Sequence, residues 1–236
     1  MNKDTRIIAL TGAGVSAESG IPTFRGKEGL WNRYRVQDLA TPEAFTRAPD
    51  TVWEWYRYRQ ELIGKAKPNP AHLALAKMEE IFPEFYLITQ NIDGLHQKAG
   101  NKRVVELHGN IWEARCIAEG KIIECPPRTG NDPVPYCTCG SMLRPNVVWF
   151  GEALPVEALE RAYQLVQDCE ICFVIGTSSL VYPAAGLPMV AFEAGADIIE
   201  VNPAPSPALG ISIHIREKAG IAMPVILDEI SRTKPV

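Results

Sequence analysis

Leu10-Thr-Gly-Ala-Gly-Val-Ser-Ala-Glu-Ser-Gly-Ile-Pro-Thr-Phe-Arg25 is the stretch that decides the fold. It follows the apolar run Ile7-Ile8-Ala9-Leu10, short and β-branched enough to be a buried parallel strand. The strand runs into Gly12-Ala13-Gly14 and then Val15-Ser16-Ala17, a helix start of the form G-x-G-x-x-A. Glycines at such a turn let the backbone bend sharply and let a phosphate approach the amides of a helix N-terminus. By itself the pattern is a weak sign of dinucleotide binding. Its continuation sharpens the reading, because Gly20 and Ile21-Pro22-Thr23-Phe24-Arg25-Gly26 break the helix early into a rigid loop with an aromatic and a cation. A dehydrogenase fingerprint would keep its helix for about a dozen residues and reach a second strand ending in Asp or Glu. No such strand follows.

A chain of 236 residues suits one full-sized domain, or one large domain with a small insertion. The 46% hydrophobic and 22% charged fractions place it with ordinary globular proteins rather than disordered or fibrous ones. A net charge of −4 gives no electrostatic reason to expect nucleic-acid binding. No apolar run is long enough to span a membrane, and the start, Met1 to Arg6, lacks a signal-peptide core. A cytoplasmic setting is expected, with neither nucleic acid nor membrane as partner. Six cysteines in that setting point to metal or buried thiols rather than disulfides.

Residues 27–48 read as a loop with short helical turns over the nucleotide site, carrying Trp31. Thr51 to Lys65 is helical, with Thr51 and Glu54 spaced for a capping box. Asn69-Pro70 starts another helix, which runs toward Phe82-Pro83. Phe85 to Thr89 and Val104 to His108 are strands, as are Val147 to Glu152, Ile171 to Ile175 and Ile198 to Asn202. Helices are expected over Pro155 to Asp168, Pro183 to Ala194 and Met223 to Ile230. Strands alternating with helices imply an α/β fold with a doubly wound parallel sheet. Polar residues gather where the strands end: Thr11-Gly12, Gln90-Asn91-Asp93, His108, Gly176-Thr177-Ser178 and Asn202. Ligands of open α/β sheets bind at those carboxyl ends.

The stretches Gly12 to Arg25, Thr89-Gln-Asn-Ile-Asp93, Leu107-His-Gly109, Gly176-Thr-Ser178 and Val201-Asn202 occur in the order and spacing of the sirtuins. The chain resembles these NAD-dependent protein-lysine deacylases over nearly its whole length. The resemblance implies a single catalytic domain with a Rossmann-like core, about 1–35, 84–110 and 150–236. A small domain would come from insertions at about 36–83 (helical) and 111–149 (zinc module). It further implies NAD as co-substrate, acylated-lysine proteins or peptides as partners, and a monomer. His108 would be the general base that takes a proton from the ribose hydroxyls, and Asn91 would join it in catalysis. Cofactor contacts would come from Gly12, Ala13, Gly14, Ser16, Ala17, Thr23, Phe24, Arg25 and Trp31. Gln90, Asn91, Ile92, Asp93, Gly176, Thr177, Ser178, Asn202, Pro203 and Ala219 would supply the rest.

The four histidines can be sorted on their own surroundings. His72 sits in a helix's first turn and His214 lies without polar companions, so both read as structural. His96 reads as a surface residue that could orient a neighbour. His108 ends a strand at the crevice, with Glu106 on the same face, where a general base belongs.

On the helix from Thr51, Val52, Trp55, Tyr56, Arg59, Leu62 and Ile63 share one stripe. Tyr56 and Arg59, three apart, are neighbours on a face that should be buried. A desolvated guanidinium needs an anion, either an internal carboxylate or one brought by a substrate. This Tyr-x-x-Arg pair resembles the sirtuin branch that removes succinyl and malonyl groups. Val148, Trp149, Phe150 and Gly151 resemble the strand that pairs with the substrate peptide, a mode that tolerates varied flanking sequence.

The family's small module holds one structural zinc on two Cys-x-x-Cys pairs. The ligands here would be Cys116, Cys125, Cys137 and Cys139, although Cys125 comes nine positions after Cys116 and the second pair is Cys-Thr-Cys. Gly140 would help the chain turn. The one true Cys-x-x-Cys, Cys169-Glu-Ile-Cys172, runs into a core strand and reads as buried thiols. Arg128 and Arg144 are too few to make this a nucleic-acid-binding ribbon. Competing readings are a mono-ADP-ribosyltransferase on the same scaffold, a non-catalytic NAD sensor, and a hydride-transferring dehydrogenase.

Overall fold

The structure is a computed structural model that describes residues 3–24, 35–126, 134–206 and 210–232. Nine strands are described: β1 (Ile7–Thr11), β2 (Phe85–Thr89), β3 (Val104–Glu106), β4 (Gly109–Cys116), β5 (Ile122–Glu124), β6 (Leu143–Val147), β7 (Ile171–Ile175), β8 (Asp197–Val201) and β9 (Ile213–Ile215). Between them lie α1 (Val36–Leu39), α2 (Pro42–Arg47), α3 (Pro49–Lys65), α4 (Pro70–Ile81), α5 (Leu95–Ala99), α6 (Val156–Asp168), α7 (Leu187–Glu193) and α8 (Ala219–Arg232). Among the described residues no helix is long and apolar enough to cross a membrane.

β1 is buried along its whole length, as an unbroken apolar run demands. It pairs in parallel with β2 on one side and β7 on the other. The six-stranded parallel sheet runs β3-β2-β1-β7-β8-β9, so the order reverses between β1 and β7. Such a reversal opens a crevice at the carboxyl ends of the two strands. Alternate side chains serve opposite faces: Ile7, Ala9, Phe85, Leu87 and Phe173 pack on one, and Ile8, Leu10, Ile88, Cys172 and Val174 on the other.

A second, antiparallel sheet, β5-β4-β6, is inserted after β3. It shares a core with α1 to α3 that includes Phe45, Trp53, Ile111 and Leu143. The Trp53 indole donates to the Leu143 carbonyl at 2.8 Å, and Gln60 Nε2 to the Ile111 carbonyl at 2.6 Å, which fixes α3 against this sheet.

Several expectations need correction. α3 begins at Pro49, whose ring suits the first helical turn, so Thr51 and Glu54 sit inside the helix and form no capping box. Asn69 does cap α4, accepting from Ala71 N at 2.9 Å. α4, expected with the small domain, packs instead on α8 and the sheet through Ala71, Leu75 and Met78. β3 stops at Glu106, which leaves His108 in the turn between the two sheets. The strand expected at 147–152 ends at Val147, and a turn follows in which Glu152 N donates to the Trp149 carbonyl at 3.0 Å. α8 starts at Ala219, earlier than Met223, and β9 has no counterpart in the sequence reading.

Candidate active site

The turn after β1 is tied to the end of β7, with Gly12 N bonded to the Ile175 carbonyl at 3.0 Å and Gly14 N to the Gly176 carbonyl at 2.8 Å. A Cβ on Gly14 would lie 2.7 Å from Gly176 O, so only glycine permits this approach. The short 3-10 helix Ala13–Ser19 then ends on Gly20 in the left-handed conformation, the early break expected. Gln90 Nε2 reaches Thr177 Oγ1 at 3.0 Å and Asn202 Nδ2 reaches the Thr177 carbonyl at 2.9 Å, closing the floor.

Above this floor opens a cavity of about 910 Å³. It is lined by every cofactor contact expected among the described residues except Ser16 and Asp93. Arg25 and Trp31 lie outside the described residues. Tyr56, Arg59, Val148, Trp149, Phe150, Gly151 and His108 also line it. Glu18, Trp55, Tyr182 and Lys218 join them, and none of these four had been assigned to the site. Of the four, only Trp55 gave a signal, through its place on the apolar stripe of α3.

Ser16 and Asp93 stand behind the wall. Ser16 Oγ donates to Asp93 Oδ2 at 2.7 Å, and Leu95 N donates to Asp93 Oδ1 at 2.9 Å. Asn91 Nδ2 donates to the Gly12 carbonyl at 3.1 Å and to Ser16 Oγ at 3.3 Å, which links this pair to the glycine turn. Burial pushes the Asp93 carboxyl above its ordinary range, against the pull of these donors and of Arg59. His96 is buried, not superficial, and its Nε2 lies 3.0 Å from Thr11 Oγ1. His214 likewise has a companion, Glu200 Oε2 at 2.7 Å from its Nδ1. Both pairings join residues far apart in sequence, so local inspection missed them.

His108 Nδ1 lies 2.8 Å from the Gln90 carbonyl oxygen. A carbonyl only accepts, so Nδ1 carries the hydrogen and Nε2 keeps its lone pair. Burial lowers the imidazole pKa below its ordinary value, and the Gln90 contact opposes this in part. The ring is therefore neutral near pH 7, with Nε2 open to accept a proton. Val148 N donates to the His108 carbonyl at 2.9 Å, holding the residue where the sheets meet. Glu106 does not touch it: its Oε1 accepts from Gln97 at 2.8 Å and Asn110 at 2.9 Å, and burial pushes its carboxyl up to about 7.

Arg59 is 6% exposed, and it forms no salt bridge among the described residues. Its guanidinium carbon lies 5.0 Å from the ring centroids of both Phe24 and Trp55. Tyr56 is 3% exposed, and burial pushes its phenol up to about 12, so the hydroxyl stays protonated. Arginine keeps its charge even when burial lowers its pKa, as it does here.

The ligand atoms of Cys116, Glu119, Cys137 and Cys139 lie within 4.8 Å of one another. Cys125 is not among them, for its Sγ accepts from Arg57 Nη1 at 3.3 Å. Glu119, three residues after Cys116 on the same turn, takes its place. Three thiols and a carboxylate suit a tetrahedral zinc ion, which would hold the ends of this module together. Gly140 has φ +86°, the turn expected beside Cys139. Cys169 and Cys172 are buried, as read.

A model of the Sir2 family matches residues 12–183. A protein of Aquifex aeolicus named NAD-dependent protein deacylase is 54% identical over 96% of this chain and 95% of its own. The crystal structure of a Sir2 homologue with NAD superposes with a TM-score of 0.88 at 45% identity, covering 98% of this chain and 91% of that one. A Sir2 variant with a deacetylated p53 peptide and 3′-O-acetyl-ADP-ribose gives 0.81 at 35% identity, covering 95% and 93%.

Proposed function

The chain belongs to the Sir2 family and is an NAD-dependent protein deacylase, and on that premise we propose that it prefers acyl groups ending in a carboxylate, succinyl- or malonyl-lysine ahead of acetyl-lysine. The observation that carries this is Arg59, a buried cation on the wall of the cavity that forms no salt bridge among the described residues and feels only the charge of Asp93 behind the wall. An acyl carboxylate beside it could accept two parallel N–H bonds and a third from Tyr56.

Bound in the crevice, NAD supplies the ribose carbon to which the acyl oxygen is joined as nicotinamide leaves. The protein's part is to hold and to move a proton. The glycine turn and Gln90, Thr177 and Asn202, fixed to one another by these bonds, would hold the nucleotide against the strand ends. His108 Nε2, free of its own proton, takes one from the ribose hydroxyls. Asn91, anchored on Gly12 and Ser16, fixes the edge of the site beside it. Phe150 and Gly151, in the turn after β6, would face the lysine's backbone.

The test is to incubate the protein with NAD and two peptides that differ only in carrying succinyl- or acetyl-lysine, following acyl loss by mass spectrometry. Higher kcat/KM for the succinyl peptide supports the reading. Acetyl loss alone discards the carboxylate site, and nicotinamide release with ADP-ribose left on protein would favour the transferase.

A further inference from the structure

The Trp149 indole nitrogen lies 3.0 Å from the Tyr56 hydroxyl oxygen. An indole N–H only donates, so the phenol oxygen is the acceptor and its own hydrogen is turned away from Trp149. That hydrogen finds no acceptor among the described residues, and Tyr56 lines the same cavity as Arg59.

Trp149 is itself held on several sides. Its backbone N donates to Glu152 Oε2 at 2.8 Å, and Arg144 Nη2 donates to the same oxygen at 2.9 Å. Arg144 Nη1 completes the fork on Glu152 Oε1, and its Nη2 also reaches the Val147 carbonyl at 2.9 Å. The Arg144 guanidinium carbon stacks 3.4 Å from the Trp149 ring centroid, with the Phe45 ring at 5.4 Å. Burial pushes the Glu152 carboxyl up, but the Arg144 bonds outweigh it and keep the group ionised. A side chain fixed this firmly presents its N–H in one direction.

We propose that Trp149 is a specificity-determining residue: by donating to Tyr56 it commits the phenol hydrogen to the acyl end of the cavity, where it pairs with a carboxylate. The inference rests on the carboxylate reading of this pocket. Arg144 and Glu152 are positioning residues that act through Trp149. A phenol without this donor could rotate and offer its lone pairs inward, which suits a neutral acyl group better. A committed O–H needs an acceptor, which an acyl carboxylate supplies and an acetyl methyl does not, and a site built around fixed polar groups discriminates strongly against a ligand that leaves them unpaired.

The experiment is a double-mutant cycle on the full chain with NAD and the matched succinyl and acetyl peptides. Trp149→Phe keeps a ring and removes the N–H. It should lower the succinyl-to-acetyl ratio of kcat/KM about tenfold, mainly through the succinyl KM. In a Tyr56→Phe background the same substitution should leave the ratio where Tyr56→Phe alone puts it, because Trp149 acts through that hydroxyl. An unchanged ratio in Trp149→Phe, or independent effects that multiply, overturns the proposal while a wild-type succinyl preference leaves the pocket reading standing. A wild type without that preference overturns both. Glu152→Gln keeps the indole but loosens its hold, so it should shift the ratio the same way. It serves if the Phe variant does not fold.

Discussion

Arg59→Met separates recognition from stability in one substitution. In a bound complex the guanidinium and an acyl carboxylate would form a buried pair, and removing one member of such a pair costs about 3–5 kcal/mol. At about 1.4 kcal/mol per factor of ten, kcat/KM for a succinyl peptide should fall by about two to three and a half orders of magnitude. The acetyl peptide brings no carboxylate. Its loss should be confined to altered packing against Phe24 and Trp55, about fivefold or less for contacts of this size. Without substrate the sign reverses, since a buried cation with no salt bridge among the described residues costs desolvation that methionine does not, and the attraction of Asp93 offsets only part of it. Thermal unfolding of the free protein should therefore rise by about 2–6 °C, equivalent to roughly 1–2 kcal/mol after the lost cation–π contacts are subtracted. Steady-state kinetics on both peptides and a melting curve of each protein test both halves. Equal losses on the two peptides, or a lower melting point with intact selectivity, would refute the argument.

With neutral His108 as the proposed base, its pKa held by burial below the ordinary histidine value, activity should fall as pH drops through a midpoint below 6.5. A pH profile of kcat/KM with that limb above pH 7 contradicts the assignment. Stability should also decline with acid: burial holds His72 at about 4 and His96 well below its usual value. Between pH 6.5 and about 4 the unfolded chain binds protons that the folded rings refuse, for roughly 3 kcal/mol at His72 alone. Burial raises Glu106 to about 7, so it works in the opposite sense as pH climbs from 4.5 and offsets one of these rings, leaving the other to set the sign. Urea midpoints at pH 5 and 7.5 should differ in favour of the higher pH, and equal midpoints would contradict this. Chelator treatment should release about one zinc per chain and lower the melting point, with Cys137→Ser doing the same and Cys125→Ser far less. Equal effects of the two serine variants would restore Cys125 as a ligand.

What could be read from the sequence was whatever one segment decides by itself. The β1 turn needs glycine at 14 because backbone meets backbone there, and that need is written in the residue. Asn69-Pro70 announced its helix through capping chemistry that is complete within four residues. The strand ends carried their polar residues openly. What stayed hidden depends on distant partners. His214 and Glu200 meet only because β8 and β9 pair, and a three-residue strand leaves no periodic trace. Arg144 looked like one stray cation until the turn at 149–152 brought Glu152 against it. The metal group was legible in three of its members, Cys116, Cys137 and Cys139, and the fourth was missed for a chemical reason: a thiol was sought, whereas the chain offers a carboxylate at Glu119.

Two kinds of structure meet at this site, and they carry different parts of the task. The proposed nucleotide floor lies at the ends of a parallel sheet, where backbone hydrogen bonds and close glycine contacts leave little freedom to vary. The proposed acyl end lies on the smaller core shared by α3 and the antiparallel sheet: Tyr56 and Arg59 come from α3 and Trp149 from the turn after β6, with a side-chain bond between Trp149 and Tyr56. His108 sits on the seam, its ring bonded to Gln90 from the parallel sheet and its carbonyl to Val148 from the insertion. Substitutions on α3 can therefore redirect acyl choice while the proton chemistry stays in place, since none of them removes a bond that fixes the imidazole. Substitutions that move the 148–152 turn have no such licence. They shift Trp149 and the carbonyl anchor of His108 together, so selectivity and rate should fall in step.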